Sequence, residues 1–250
     1  MAKPLARAMQ VVWNTRIGLK STTNQDRAFV DQKLRFFILA DGVGGNPGGG
    51  VASSIAINAA SRILSSQIDQ VKRLPELESL ISRSIQTANQ DIQKLSSAER
   101  RLAHMASTIT IAVIHNQNLA FANLGDTRVY AMTAQGLVAL SHDHNAATEL
   151  AGNSLLTERQ IRSHPFRNIL TRALGSSAEA SPFIQTVDLN AVTMLLLCTD
   201  GVWSVLQDSA LEDILRHKAT LADKCLTIMN MAVRSGSTDD LTCILVDFIS

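Results

Sequence analysis

Phe36–Phe37–Ile38–Leu39–Ala40–Asp41–Gly42 is an unbroken apolar run stopped abruptly by an acid and a glycine. Successive side chains of a strand point to opposite sides of its sheet, so a short run without polar residues predicts a strand buried on both faces. Upstream, Arg27–Val30 supplies a second short strand, with Asp31–Gln32–Lys33 as the turn between them. Downstream, the glycine-rich stretch Gly42–Gly50 leads into a different period. Val51, Ile55, Ala59, Ile63 and Leu64 recur at helical spacing and predict a helix to about Gln70. Pro75 opens a second helix, with Leu77, Leu80, Ile81, Ile85, Ala88, Ile92 and Leu95 on one stripe, to about Ala103.

Further along, short apolar or alternating segments return: Thr108–Ile114, Asn118–Asn123, Arg128–Thr133 and Leu137–Leu140. Turn signals separate them, which reads as an antiparallel meander. Residues from Asn145 to about Gly175 read as short helices and loops. Strands follow at Phe183–Val187 and Thr193–Thr199, helices at about Ala210–His217 and Leu221–Arg234, and a last strand at Leu241–Phe248. Strands come in blocks and helices in blocks, which predicts antiparallel sheets with helical layers outside them. No linker divides the chain, so residues 1–250 are expected to form one domain.

The composition narrows the function classes. The hydrophobic share of 46% supports a real core, and a formal net charge of +1 with scattered Lys and Arg gives no electrostatic reason to bind nucleic acid or a membrane surface. Cys198, Cys225 and Cys243 are too few and too far apart for a disulfide framework, which points to a reducing compartment. No apolar window reaches the length of a bilayer span. The expectation is a soluble, cytoplasmic monomer.

The acids carry the chemistry. Asp41 ends Phe36–Ala40 and Asp200 ends Met194–Thr199, each followed by glycine (Gly42, Gly201); Asp126 follows Leu119–Leu124 and Gly125. Asp26 precedes Arg27–Val30, and Asp239 and Asp240 precede Leu241–Phe248. In an antiparallel pair the end of one strand lies beside the start of its neighbour, so these acids can meet along one sheet edge. Several carboxylates a few ångströms apart repel strongly without cations, and oxygen-only ligands suit hard ions such as Mg²⁺ or Mn²⁺. A single Asp–Gly after a strand is ordinarily a turn, so spacing alone leaves both readings open. The glycine-rich stretch lacks both the Gly–Lys–Ser/Thr ending of a P-loop and G-x-G-x-x-G spacing. His142 and His144 lack the companions of a zinc motif.

The order of these pieces resembles a known family, the metal-dependent protein phosphatases of type 2C. The resemblance rests on Asn24–Gln–Asp26; Leu39–Ala–Asp–Gly–Val–Gly–Gly45 with Val51–Ala–Ser53; Ser107–Thr108; and Asn123–Leu–Gly–Asp–Thr–Arg128. It continues in His142–Asp–His–Asn145 with Glu149–Leu150; Asn168–Ile–Leu–Thr–Arg–Ala–Leu–Gly175; Leu196–Leu–Cys–Thr–Asp–Gly201; and Gly236–Ser–Thr–Asp–Asp–Leu–Thr242. It implies an α+β, four-layer α/β/β/α sandwich, two antiparallel sheets flanked by helices, with a flap over about 145–175. It also implies two bound Mn²⁺ or Mg²⁺ ions and a third, weaker one. Asp41 would bridge the two ions, the Gly42 carbonyl would join it on one, Asp200 and Asp239 would hold the other, Asp26 would act through waters, and Asp126 would hold the third. The implied reaction is hydrolysis of phosphoserine or phosphothreonine in proteins, opposing a Ser/Thr kinase, by a hydroxide shared between ions roughly 3.5–4 Å apart. Asp41, Asp200 and Asp239 would carry the catalysis.

The chain departs from the family pattern at several positions. Ser21, beside Lys20, stands where an arginine usually grips the substrate phosphate, and a lysine lacks arginine's bidentate fork. Val43 stands where many eukaryotic members carry a histidine, and Gly50 where an acid is usual; Ser204 bears on how well a third ion is held. These departures keep a second reading open: a degenerate member that binds metal or phosphoproteins with weak turnover.

Overall fold

The structure, a computed structural model, describes residues 8–43, 48–152 and 157–249. In chain order the strands are β1 (Met9–Arg16), β2 (Arg27–Val30), β3 (Phe36–Ala40) and β4 (Gly42–Val43), followed by helices α1 (Gly48–Gln67) and α2 (Leu74–Ala98). Then come β5 (Ala106–Ser107), β6 (Ile109–His115), β7 (Asn118–Leu124), β8 (Arg128–Thr133) and β9 (Gly136–Ala139), with α3 (Ala146–Ala151) and α4 (Glu158–Arg162) after them. The chain closes with β10 (Phe183–Asp188), β11 (Met194–Cys198), α5 (Asp200–Trp203), α6 (Asp208–Arg216), α7 (Leu221–Arg234) and β12 (Leu241–Phe248).

Two five-stranded antiparallel sheets form, ordered β1-β12-β11-β8-β9 and β10-β7-β6-β3-β2, with a short β4-β5 pair beside them. The unbroken apolar runs follow from how their two faces are used. In β3, Phe36, Ile38 and Ala40 pack under α1 and α2, while Phe37 and Leu39 face the other sheet. In β11, Leu196 and Cys198 pack under α6 and α7, and Leu195 and Leu197 enter the layer between the sheets. Strand β12 alternates likewise, with Cys243 and Leu245 toward the helices and Ile244, Val246 and Phe248 inward. Three apolar cores therefore separate four layers, which is the α/β/β/α sandwich that the resemblance implies.

Three features depart from the sequence expectations. Strand β1 is not signalled by an apolar run; it is an edge strand on β12, with Met9 paired to Phe248 and Trp13 to Ile244, and Trp13 is half exposed. Helices α1 and α2 give way to single 3₁₀ turns at Ile68–Gln70 and Arg100–Leu102, rather than running on to the expected limits. Asp200 does not simply end a strand but opens the one-turn helix α5. Gly44–Pro47 of the glycine-rich stretch and residues 153–156 of the expected flap lie outside the described residues.

Candidate active site

The register of the sheets gathers the acids. Arg27 pairs with Ala40, which sets Asp26 beside Asp41. Cys198 pairs with Cys243, which brings the end of β11 to the start of β12 and Asp200 near Asp239 and Asp240. A Cβ on Gly201 would strike the Asp240 carbonyl, and one on Gly42 would strike the backbone of Gly49, so both Asp–Gly steps are sites of close backbone approach. The two sheets are joined at the acids themselves: the Thr199 hydroxyl donates to Asp26 Oδ2 at 2.9 Å and accepts from the Thr242 N–H at 3.0 Å.

Asp41 is fixed from behind. Its N–H donates to Thr108 Oγ1 at 2.9 Å, and its carbonyl accepts from the Thr108 N–H and the Ser107 hydroxyl. Asp126 sits on a turn that needs Gly125 at φ +107°, where an added Cβ would also collide with Thr108. Thr108 and Thr127 share a hydroxyl–hydroxyl bond of 2.7 Å, His144 Nδ1 accepts from the Gly125 N–H, and Trp203 Nε1 donates to the Asp126 carbonyl at 2.8 Å.

Electrostatics mark the cluster as strained in the absence of cations. Burial, and then Asp26, Asp200, Asp126 and Asp239 in turn, push the Asp41 carboxyl well above its ordinary range. Burial likewise raises Asp26 to about 7, and burial followed by Asp239 raises Asp200 to about 7. Asp126 is raised by burial and then by Asp200. Asp41 offsets part of that rise at Asp200. Burial holds His144 neutral, lowering it to about 4.

Two buried oxygens, Asp26 Oδ1 and Asp200 Oδ1, lack any donor. Leaving a buried carboxylate oxygen unmatched is costly, and a cation would satisfy both. The donor set therefore fits hard divalent ions. Among the described residues, no three His, Cys, Asp or Glu side chains converge closely enough to ligate one ion unaided. The acids instead line a shared space, which suits ions held by one or two carboxylates each, with carbonyls and waters completing the shell, as Mg²⁺ prefers.

The structure separates residues that the sequence leaves together. Asp239 is exposed at the rim, whereas Asp240 is buried and accepts from the N–H groups of Gly18 and Gln25, both at 2.7 Å. Asp240 thus ties the Gly18–Gln25 loop to the start of β12. In that loop, the Lys20 N–H donates to the Thr238 carbonyl and the Ser21 N–H to the Gly18 carbonyl, which places both residues beside Asp239. Arg167 lowers Asp200 slightly, a smaller effect than burial and the neighbouring Asp239. Sequence reasoning gave no role to Arg167 and Trp203, which adjoin no strand-end acid, and treated Thr199 only as the residue that precedes Asp200. Asp143 of the His142–Asn145 motif is committed elsewhere, in a buried ion pair with Arg128 at 2.6 Å.

Two sizeable grooves lie away from this site. One of about 510 Å³ lies between α1 and α2, lined by Ile55, Asn58, Arg62, Asp91 and Leu95. Another, of about 530 Å³, opens beside Leu124 and runs along Thr171–Ala173 and Glu179–Ser181.

Comparison with known proteins bears on the fold and the family. The profile described as protein phosphatase 2C matches residues 19–246. The serine/threonine phosphatase Stp of Listeria monocytogenes is 32% identical over 213 residues, covering 84% of this chain and 83% of that protein. The protein phosphatase PhpP of Streptococcus pneumoniae is 31% identical over 242 residues, 95% of this chain and 97% of that protein. The catalytic domain of the serine/threonine protein phosphatase PstP, solved in complex with two manganese ions, superposes with a TM-score of 0.83 at 22% identity, over 97% of this chain and 99% of that one. With a match across nearly its whole length and relatives above 30% identity, the chain belongs to the protein phosphatase 2C family.

Proposed function

We propose that this protein is a serine/threonine phosphatase that hydrolyses phosphomonoesters on other proteins with divalent cations, Mn²⁺ or Mg²⁺, held by the strand-end aspartates. The observation that carries this reading is the pair of buried, donorless oxygens on Asp26 and Asp200 inside a field of mutually raised carboxyls. Two bound ions would supply Lewis-acid stabilisation of the phosphoryl oxygens and a nucleophilic water at neutral pH. Phosphate monoesters hydrolyse so slowly unaided that the stabilisation required is very large.

The chain's own residues divide the work. Asp41, on which the charges of Asp26, Asp200, Asp126 and Asp239 all act, would be a ligand of the ions, with the Gly42 carbonyl as a further one. Asp200 and the rim residue Asp239 form the opposite wall. Asp26, held by the Thr199 hydroxyl, would act on the ions through water. Asp126 would supply a carboxylate should a third ion bind. Lys20 and Ser21 border Asp239 where substrate phosphate would arrive, but Ser21 brings no charge. Arg167 would be a second candidate for that role, since its charge acts on Asp200. Substrate would be a phosphorylated protein, with a Ser/Thr kinase of the same cell, most simply in its cytoplasm, opposing the reaction.

Mn²⁺-dependent release of phosphate from a phosphothreonine peptide, abolished by Asp41→Ala, tests this directly. Wild-type protein that binds Mn²⁺ without turnover would favour the second reading, a metal-holding module of weak activity, for which Ser21 in the arginine's place is the specific observation.

A further inference from the structure

Arg162 ends α4, within the region expected to act as a flap, yet its side chain is 4% exposed. It donates to the carbonyls of Trp203 and Leu206 and to Asp208 Oδ1. Burying a guanidinium is costly unless its donors are matched, and here they meet two carbonyls and a carboxylate at the end of α5. Helix α5 is a single turn. Asp200 stands at its start, and Trp203 at its end accepts Arg162 on its carbonyl and donates from Nε1 to the Asp126 carbonyl.

The indole is held on its face as well. The Arg128 guanidinium lies 3.8 Å from the ring centre and that of Arg162 at 5.7 Å. Arg128 is itself locked by both oxygens of Asp143 and by its bond to the Tyr130 hydroxyl. Trp203 is thus a rigid bar with one end on the flap and the other on the backbone of Asp126.

We propose that Arg162 is a positioning residue: by clamping the flap to the Trp203 turn it sets the placement of Asp126 relative to Asp200, and so couples flap docking to cation binding at Asp126. This rests on the metal-phosphatase reading. If the coupling runs through Asp126, it vanishes once that carboxylate is neutralised, whereas an arginine that merely stabilised the fold would act regardless.

The test is Mn²⁺ titration calorimetry on the full chain, with amide exchange of the 157–167 segment as a second readout. The variants are Arg162→Lys, Trp203→Phe and Asp126→Asn, and each of the first two combined with the third. Lysine keeps the charge but not the fork, and Phe keeps the ring but not the donor, so both are milder than truncation. Each is expected to weaken the weakest Mn²⁺ event by about tenfold, the usual effect of losing a residue that orients a ligand, while the tighter events stay within about twofold. Neither should add to Asp126→Asn, which removes that event. Saturating Mn²⁺ should slow exchange of the segment in wild type but not in Asp126→Asn. Uniform weakening of all events, or effects that add to Asp126→Asn, would overturn the coupling alone. Wild type that binds no Mn²⁺ would overturn the phosphatase reading and the coupling with it.

Discussion

The rim of strand ends and the loops that face it are built in opposite ways. At the rim, Asp26, Asp41 and Asp200 hang from paired strands, and backbone register, the Thr108 and Thr199 hydroxyls and close glycine contacts fix them. The facing residues, Lys20, Ser21 and Arg167, stand on irregular backbone held by single turns. A carboxylate cluster tolerates little play, because ligand geometry within about half an ångström decides whether an ion is held. A surface that receives other proteins tolerates more. The chemistry is therefore stored in sheet register and the recognition in loops; of the departures from the family pattern, Ser21 falls on the loop side, whereas Val43 lies in β4 and Gly50 in α1.

The sharpest way to break the comparison is at its centre. Asp41→Ala should lower Mn²⁺-dependent phosphatase activity by at least about a thousandfold, since it removes the acid that all the others face. The same change relieves like-charge repulsion, so the metal-free protein should melt no lower than wild type. Residual activity within tenfold of wild type would show that the rim is not the site.

Asp239 and Asp240 draw the boundary between the regions within two residues. Asp240→Ala strands the buried N–H of Gly18 and the part-buried N–H of Gln25, and should destabilise the fold by about 2–4 kcal/mol in urea denaturation. Asp239→Ala, at an exposed position, should leave stability within about 0.5 kcal/mol while activity falls. The reverse pattern would exchange their roles.

Titration extends the test to the whole rim. Asp26 and Asp200 keep their protons to about pH 7 when folded, against 3.8 as the ordinary value. Between those limits the unfolded chain binds fewer protons than the folded one, so stability falls as pH rises. This contribution is full below about pH 4 and gone above about pH 7. In chelator the melting temperature should decline over that interval, and the increment from millimolar Mn²⁺ should grow over it, because the ions take the place of the protons. An increment that does not change with pH would mean that Mn²⁺ binds away from these acids.

Legibility in the sequence follows the same division. Strands β3 and β11 announced themselves because both faces are buried, which leaves no polar residue to blur the run, and β12 is interrupted only by Thr242 and Asp247. The acids were legible because each adjoins such a run. Strand β1 was not, since at an edge Gln10, Asn14 and half-exposed Trp13 break its pattern, and what defines it is pairing with β12 more than two hundred residues away. Arg162 and Arg167 were not legible either. Nothing in the local sequence shows that one meets the Trp203 carbonyl 41 positions on while the charge of the other acts on Asp200.

The smallest expected effect asks whether recognition can be repaired without touching the rim. Ser21→Arg restores a guanidinium in the loop that Asp240 and Thr238 hold beside Asp239. Its gain should appear in KM for a phosphothreonine peptide, a few-fold decrease, because an exposed charge-assisted contact contributes about 1 kcal/mol or less. Arg167→Ala should raise the same KM. If Arg167 already fills the vacant role, Ser21→Arg should rescue Arg167→Ala more than it improves wild type, since two guanidiniums compete for one phosphate. Equal gains in both backgrounds would mean that they bind independently, and no gain in either would place the substrate phosphate away from the Gly18–Gln25 loop.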